Sequence, residues 1–342
     1  MADAAETERR KEEHLRIPLE RDVQSIPSPW DAIRLRHEAL PEFDLADVDT
    51  ATTFLGRNLA APVQITGMTG GAQQAKAYND ALAEAAAEHG VAMGVGSQRA
   101  AIENPELADT YRPVLEREVP LRIANLGLPQ LILWGDDAVG HCETAIEMID
   151  AHALAIHLNP LQEAVQPEGD TQMAGGLDAI RAACKGLRVP VVVKETGAGI
   201  DGRTASRLED VGVAAVDVGG LGGTSFSAVE YHRAVDQGDT EKARLGKTYW
   251  DWGIPTPYAV GSVRTACPGL PIVATGGLRH GLDAARALAL GADVAGFAGA
   301  MFRAAADGRA AEELGFVLEE LKTGLFLAGA RRPAELSADS CL

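Results

Sequence analysis

A (β/α)₈ barrel of the TIM type is the fold this sequence predicts, and three observations predict it. Eight short apolar runs recur along the 342 residues, each ending in small or polar residues. The runs are continuous rather than alternating, as expected of strands buried on both faces. Between most of them lie Ala/Leu/Glu-rich segments with helical spacing, and strand–helix alternation implies parallel pairing through right-handed crossovers.

In order, the runs are APVQITGM (61–68), VAMGVGS (91–97), LRIANLG (121–127), ALAIHLN (153–159), PVVVKET (190–196), AAVDVGG (214–220), PIVATGG (271–277) and ADVAGFAG (292–299). Helical spacing is clearest in QQAKAYNDALAEAAAEHG and GLDAARALALG, each ending on a glycine suited to a helix C-cap. The barrel is expected to span 61–330, after an N-terminal extension over 1–60 and before a C-terminal tail over 331–342. Residues 221–270 are too long for a simple crossover and form an insertion between strands 6 and 7. Within it, GDTEKARLGKTYWDWGIPTPYAV reads as an exposed polar loop followed by a proline-marked helix start. Loops of this length inside a compact domain are usually functional lids or disordered.

Composition narrows the function. Hydrophobic residues make up 46%, enough for one large core, and 37 glycines suit tight strand-to-helix turns. A formal charge of −18 argues against nucleic-acid binding, which needs basic surface. The basic residues are 24 Arg and only 7 Lys, an acid-rich, lysine-poor balance that fits work in high salt. An Ala/Arg bias from high genomic G+C gives the same picture. Cys142, Cys184, Cys267 and Cys341 lie far apart, without metal-ligand spacing, and are expected as free thiols in a reducing compartment. The charged N-terminus lacks an apolar signal region, and no run approaches the ~18–20 apolar residues of a membrane span. A soluble, cytoplasmic protein is expected.

In such barrels the chemistry sits at the C-terminal ends of the strands. Those ends carry Thr66-Gly67-Met68-Thr69, Ser97-Gln98-Arg99, Asn125, His157-Leu158-Asn159, Lys194-Glu195-Thr196, Gly219 to Thr224, Gly276-Gly277 and Ala298-Gly299. The adjacent glycine turns TGGLRHG and GFAGAM suit a phosphate held by backbone N–H groups and a helix N-terminus. Ser97 and Arg99 offer a hydroxyl and a guanidinium to phosphate oxygens. The cluster RRKEEH, Arg9 to His14, reads on charge alone as a solvated helix with i,i+4 pairs. KETGAGIDG matches G-x-G-x-x-G at Gly197, Gly199 and Gly202, and Asp217 stands near a ribose-binding position, so a dinucleotide-binding unit is a rival reading. Four comparable strand units before it argue for the barrel. In HLNPLQEAVQPEGD, the carboxylates belong either to an ordinary loop or to a ligand site. One carboxylate suffices for Mg²⁺ when substrate phosphates and waters supply the other ligands.

These pieces together resemble the type 2, FMN-dependent isopentenyl diphosphate isomerases. The matching stretches are RKEEH, ITGMTGG, GVGSQR, NLG, IHLNPLQEAVQPEGD, VVVKETGAGI, VGGLGGTSF, DWGIPT, TGGLRHG and GADVAGFAGAMF, which cover nearly the whole chain. The LNPLQE…QPEGD element is the most specific. The resemblance implies an FMN-binding barrel that interconverts isopentenyl and dimethylallyl diphosphate, using reduced FMN and Mg²⁺ with NADPH as reductant. It places FMN against Thr66, Gly67, Met68, Thr69, Ser97, Asn125, Lys194 and Thr224, with Gly276, Gly277, Arg279, Ala298 and Gly299 at its phosphate end.

By the same resemblance the substrate diphosphate meets Arg10, Lys11, His14, Ser97, Gln98 and Arg99. Gln162, His157, Asn159 and Lys194 carry the chemistry, and Glu163 holds the metal. A homo-oligomer, tetramer or octamer, is also implied. One position departs: the family often places Trp after GGTS, where this chain has Phe226. The alternative is an FMN-dependent oxidoreductase of the hydroxy-acid oxidase or dihydroorotate dehydrogenase type. A non-enzymatic flavin- or phosphate-binding barrel with a regulatory role is a third reading.

Overall fold

In a computed structural model, which describes residues 4–25, 28–68 and 70–342, eight parallel strands close into a barrel. They are β1 (Val63–Ile65), β2 (Ala92–Gly94), β3 (Leu121–Gly127), β4 (Ala153–Leu158), β5 (Val191–Glu195), β6 (Ala215–Asp217), β7 (Ile272–Thr275) and β8 (Val294–Phe297). Each pairs with its neighbours in chain order, and β8 returns to pair with β1. All eight apolar runs therefore contain a strand. Helices Ala75–Glu88 and Gly281–Ala289 occupy the two most regular helical segments.

Register prepares the site. Gly127 on β3 pairs with His157 on β4, His157 with Lys194 on β5, and Lys194 with Asp217 on β6. Four polar or close-approach positions thus lie side by side at the C-terminal rim.

The opposite end is sealed by a hairpin of Thr52–Phe54 and Arg57–Leu59. Phe54 and Leu59 pack among Leu121, Val192, Val273 and Val294 at the barrel floor. Burying two such side chains contributes roughly 1.5–3 kcal/mol each. Leu55 and Gly56, at φ +47° and +74°, make the turn; paired positive φ values match the twist of a two-residue hairpin.

The 221–270 insertion corrects one expectation. The stretch read as an exposed polar loop is a helix, Thr240–Thr248, folded back on helix Phe226–Gln237. Gly238, at φ +75°, ends the first helix, and the Asp239 side chain caps the second by accepting from Lys242 N. The two helices approach closely at Gly246, where a Cβ would lie 2.9 Å from Ser227 O. Polar composition disguised a helix whose inner face needs only a glycine. The proline-marked start is real: helix Thr256–Ala266 follows Pro255.

The N-terminal segment wraps the barrel mouth. Helix Ala4–Glu20 packs against helix Phe226–Gln237. Residues 23–25 then bond to the loop after β6, through Ser25 N to Gly223 O and Ser225 N to Val23 O. Among the described residues no helix is long and apolar enough to cross a membrane, and the four cysteines are free.

Candidate active site

A cavity of about 650 Å³ opens at the C-terminal ends of the strands, well within the roughly 300–1,000 Å³ of small-molecule and cofactor sites. Residues from all eight strand ends and from the N-terminal helix line it.

One end is built from backbone. Gly276 and Gly277 have φ values of +113° and +76°, and a Cβ on them would lie 2.1 Å from Gly220 O and 2.0 Å from Gly222 O. Only glycine permits that contact between the β6 and β7 loops. Gly276 O accepts from Trp30 Nε1 and from Thr256 Oγ1, both at 2.9 Å. Beside these turns helix Gly299–Ala306 begins, with Ala298, Gly299 and Ala300 on the cavity wall. Its free N–H groups and dipole favour an anion.

A Cβ on Gly67 would come 2.1 Å from Val95 O, so only glycine lets the end of β1 approach the end of β2 this closely. The buried Thr66 hydroxyl has no partner. Thr224 Oγ1 accepts from Gln24 Nε2. Arg279 lines the cavity, with its guanidinium held between Asp31 at 2.7 Å and Asp283 at 2.8 Å.

The other end is built from side chains. His157 Nδ1 lies 2.9 Å from Asn125 Oδ1. Because Asn125 donates its own amide to Val95 O, its oxygen must accept, which places the proton on Nδ1 and leaves Nε2 as an acceptor. Burial, with Lys194 and Lys11 nearby, pushes the imidazole pKa down to about 3, so the ring is neutral. Lys194 Nζ donates to Glu195 O at 2.7 Å.

Gln98 does not face the cavity. Its Nε2 donates to Ala145 O and its Oε1 accepts from Asn125 N, so both ends of the amide hold the β3 rim in place. The substrate contact expected of Gln98 is therefore corrected to a supporting role for Asn125, and so for His157. Every other expected site residue among the described ones lines the cavity; Thr69 lies outside the described residues.

The loop after β4 folds around one carboxylate. Glu163 Oε1 accepts from Asn159 Nδ2 at 2.7 Å, and Oε2 accepts from Gln166 Nε2 at 2.6 Å and Asp170 N at 2.7 Å. A Cβ on Gly169 would lie 1.8 Å from Glu163 O, so the loop closes only with glycine there. Burial raises the Glu163 pKa against these hydrogen bonds. Asn159 Oδ1 and Gln166 Oε1 are buried without partners. Opposite, Lys11 Nζ donates to Gly70 O at 2.9 Å and Ser97 O at 2.7 Å. Burial and the nearby charges of Arg10 and Arg99 bring its pKa down to about 7. Arg99 pairs with Glu103, and His14 stacks edge-on against Phe226 at 5.9 Å.

The G-x-G-x-x-G loop is not a phosphate cradle. Glu195 Oε2 accepts from the backbone N–H groups of Thr196, Gly197, Ala198 and Gly199, so the chain's own carboxylate fills that nest. Asp217 is buried in the barrel against Thr275 Oγ1 and Gly219 N, away from any ribose-binding edge.

Sequence reasoning missed several wall residues. Ser25 and Ser28 line the cavity with buried, unpartnered hydroxyls, and Gln130, Gln166 and Arg303 also line it. The serines lie on an irregular segment without periodicity; the others stand one turn into helices or loops whose starts were recognised.

The cradle of glycines, the orphaned Thr66 hydroxyl and the helix N-terminus fit a flat, phosphate-bearing ring such as FMN. A single carboxylate with two orphaned amide oxygens fits Mg²⁺ only if a ligand's phosphates and waters complete the shell. No group of three His, Cys, Asp or Glu able to hold a metal exists among the described residues.

Fold and site together define a flavin barrel, and residues 20–110 and 153–342 match the model of the FMN-dependent dehydrogenase family. Crystal structures of mandelate oxidase share the fold: one is 19% identical with a TM-score of 0.59, covering 92% of this chain and 87% of that one. Another, with benzoyl-formic acid, is 18% identical with a TM-score of 0.60 over the same shares.

Much nearer in sequence are proteins named isopentenyl-diphosphate delta-isomerase. Those of Thermoplasma volcanium and Archaeoglobus fulgidus are 44% identical over 96% of this chain and 94% of theirs. The Nostoc sp. protein is 45% identical over 96% of this chain and 93% of its own. The chain belongs to the isopentenyl-diphosphate delta-isomerase family, built on the FMN-dependent dehydrogenase barrel.

Proposed function

We propose that this enzyme interconverts isopentenyl diphosphate and dimethylallyl diphosphate, with FMN across the barrel mouth and Mg²⁺ at Glu163. NADPH serves as the reductant, and the protein works as a soluble, cytoplasmic homo-oligomer. The observation that carries the reading is the division of one cavity: a glycine-built anion end faces a cationic and carboxylate-lined end. Family membership supplies the reaction.

The isomerisation adds a proton to one carbon and removes one from another, through a tertiary carbocation. Such a cation demands exclusion of water. Reduced FMN, when bound, supplies the electron-rich surface and acid–base capacity that this step needs. Among the chain's own groups, neutral His157 is too weak an acid to protonate an alkene.

Instead, Arg10, Lys11 and Arg99 bind the diphosphate, and Ser97 adds a hydroxyl. Glu163, with the unpartnered oxygens of Asn159 and Gln166 beside it, would hold the magnesium ion, which would supply positive charge against the diphosphate. Gln162, His157 and Asn159 face the hydrocarbon and fix it relative to the cofactor. Lys194 places a positive charge at the rim, which favours an anionic ring. Phe226 closes the apolar side.

Anaerobically reduced protein incubated with isopentenyl diphosphate and Mg²⁺ should yield dimethylallyl diphosphate over many turnovers, read by proton NMR. Absence of product with bound, reduced flavin overturns the reading.

A further inference from the structure

Arg233 lies in helix Phe226–Gln237, behind the cavity wall, and is 1% exposed. Its guanidinium forks among three carboxylates from three segments. Nε meets Glu13 Oε2 at 2.7 Å, Nη2 meets Glu168 Oε1 at 2.6 Å, and Nη1 meets Glu230 Oε2 at 2.6 Å. The second oxygen of Glu230, itself fully buried, lies 2.7 Å from His14 Nε2.

The two outer arms of this cluster matter most. Glu13 and His14 belong to the N-terminal helix, where Arg10 stands three residues from Glu13 and so on a shared face. Glu168 belongs to the loop after β4, which carries Gln162 and wraps Glu163 through Gln166 and Asp170. One guanidinium thus joins the segment bearing the cations to the segment bearing the carboxylate.

We infer that Arg233 is a positioning residue: it couples helix Ala4–Glu20 to the 160–170 loop, so that Arg10 and Lys11 close on the diphosphate opposite Glu163. The inference rests on the proposed diphosphate reading of the cavity. Helix Ala4–Glu20 is also held to helix Phe226–Gln237 by the His14–Glu230 contact and by Ile17 packing with Ala228 and Val229, but these contacts do not reach the 160–170 loop. Arg16 and Arg21 reach Asp236 at the surface, where exposed pairs contribute little, and Lys242 Nζ reaches Ala164 O at 3.1 Å.

Without Arg233, the carboxylates of Glu13, Glu168 and Glu230 would face one another across the junction of helix and loop. Removing one partner of a buried ionic cluster is strongly unfavourable. Here the repulsion acts along the line that separates helix from loop, so the geometry relaxes by opening the diphosphate site.

The test uses the FMN-loaded enzyme with Arg233→Met, Arg233→Lys, Glu13→Gln, Glu168→Gln and Asp236→Ala, reading KM, kcat, FMN affinity and hydrogen exchange. Arg233→Met should raise KM for isopentenyl diphosphate at least tenfold, with kcat changed less than threefold and FMN affinity within twofold of wild type. Exchange should rise in both 4–20 and 160–170, and Arg233→Lys should restore part of the KM.

The single carboxamide variants should each loosen one segment only, Glu13→Gln the helix and Glu168→Gln the loop. They keep the inference testable if Arg233→Met does not fold. Asp236→Ala, which cuts the surface ties, should leave all four readouts unchanged. An unchanged KM in Arg233→Met, a parallel loss of FMN affinity, or looser exchange in one segment alone would overturn the inference. A wild-type protein that fails to isomerise the diphosphate sinks the functional reading instead, while the exchange data still decide whether Arg233 couples helix to loop.

Discussion

The two ends of the cavity are built by opposite means. At the β7–β8 end the wall is main chain: Gly276 and Gly277 press against Gly220 and Gly222, and helix Gly299–Ala306 starts at the wall with Ala298, Gly299 and Ala300. At the end near β4 the contacts are side chains, Lys11, Arg99, Gln162 and Glu163, held by segments far apart in sequence. A backbone cradle is rigid because steric exclusion sets it, and it offers the same surface whatever side chains surround it. A side-chain site is adjustable, and depends on how the segments that carry it are held together. The backbone end is a fixture; the side-chain end is an assembly.

The comparison breaks most sharply at Gly277. Gly277→Ala adds a Cβ 2.0 Å from Gly222 O at φ +76°. Backbone strain of this kind costs on the order of 1–3 kcal/mol before the clash itself. FMN affinity should therefore fall about 100-fold, and the protein should purify without the yellow colour of bound flavin. Titration of FMN into the variant, followed by flavin fluorescence, checks this. Retained colour would mean the cradle can shift.

Glu163→Gln attacks the other end. It removes the only carboxylate of the loop that lines the cavity but keeps its shape, and should lower kcat/KM by roughly 30- to 100-fold, the equivalent of about 2–3 kcal/mol for a charged contact. Mg²⁺ activation should weaken while bound flavin is unchanged. Normal dependence on Mg²⁺ in the steady-state assay removes Glu163 from metal binding.

A subtler effect belongs to Lys11, whose pKa burial and the neighbouring arginines bring down to about 7. The free enzyme loses this positive charge as pH rises through about 7, so kcat/KM should fall there, about tenfold per unit at the steepest. Lys11→Arg, which stays charged, should lose the inflection. A profile unchanged by that substitution assigns the ionisation elsewhere.

Legibility followed the same division. Barrel strands and glycine turns were readable because burial on both faces and positive φ leave local marks, in apolar runs and in Gly-Gly pairs. LNPLQE…QPEGD was readable as a dense polar element, although its inward fold around Glu163 depends on Gly169 and on hydrogen bonds no spacing reveals. Arg233 was invisible, since it sits on an amphipathic helix among partners at positions 13, 168 and 230. Helix Thr240–Thr248 was missed because its inner face is mostly Gly246 rather than an apolar stripe. The nest after β5 misled in the other direction: its glycines cradle Glu195, not a nucleotide.

Redox balance tests the central claim most directly. The same flavin barrel carries oxidases and dehydrogenases, which consume one oxidant or reductant per product, whereas an isomerase consumes none. The measurement is anaerobic turnover of isopentenyl diphosphate by protein reduced with a limiting, counted amount of dithionite, quantifying dimethylallyl diphosphate and flavin redox state together. The account predicts many products per flavin, with the flavin still reduced at the end. One product per electron pair, with the flavin left oxidised, would contradict it.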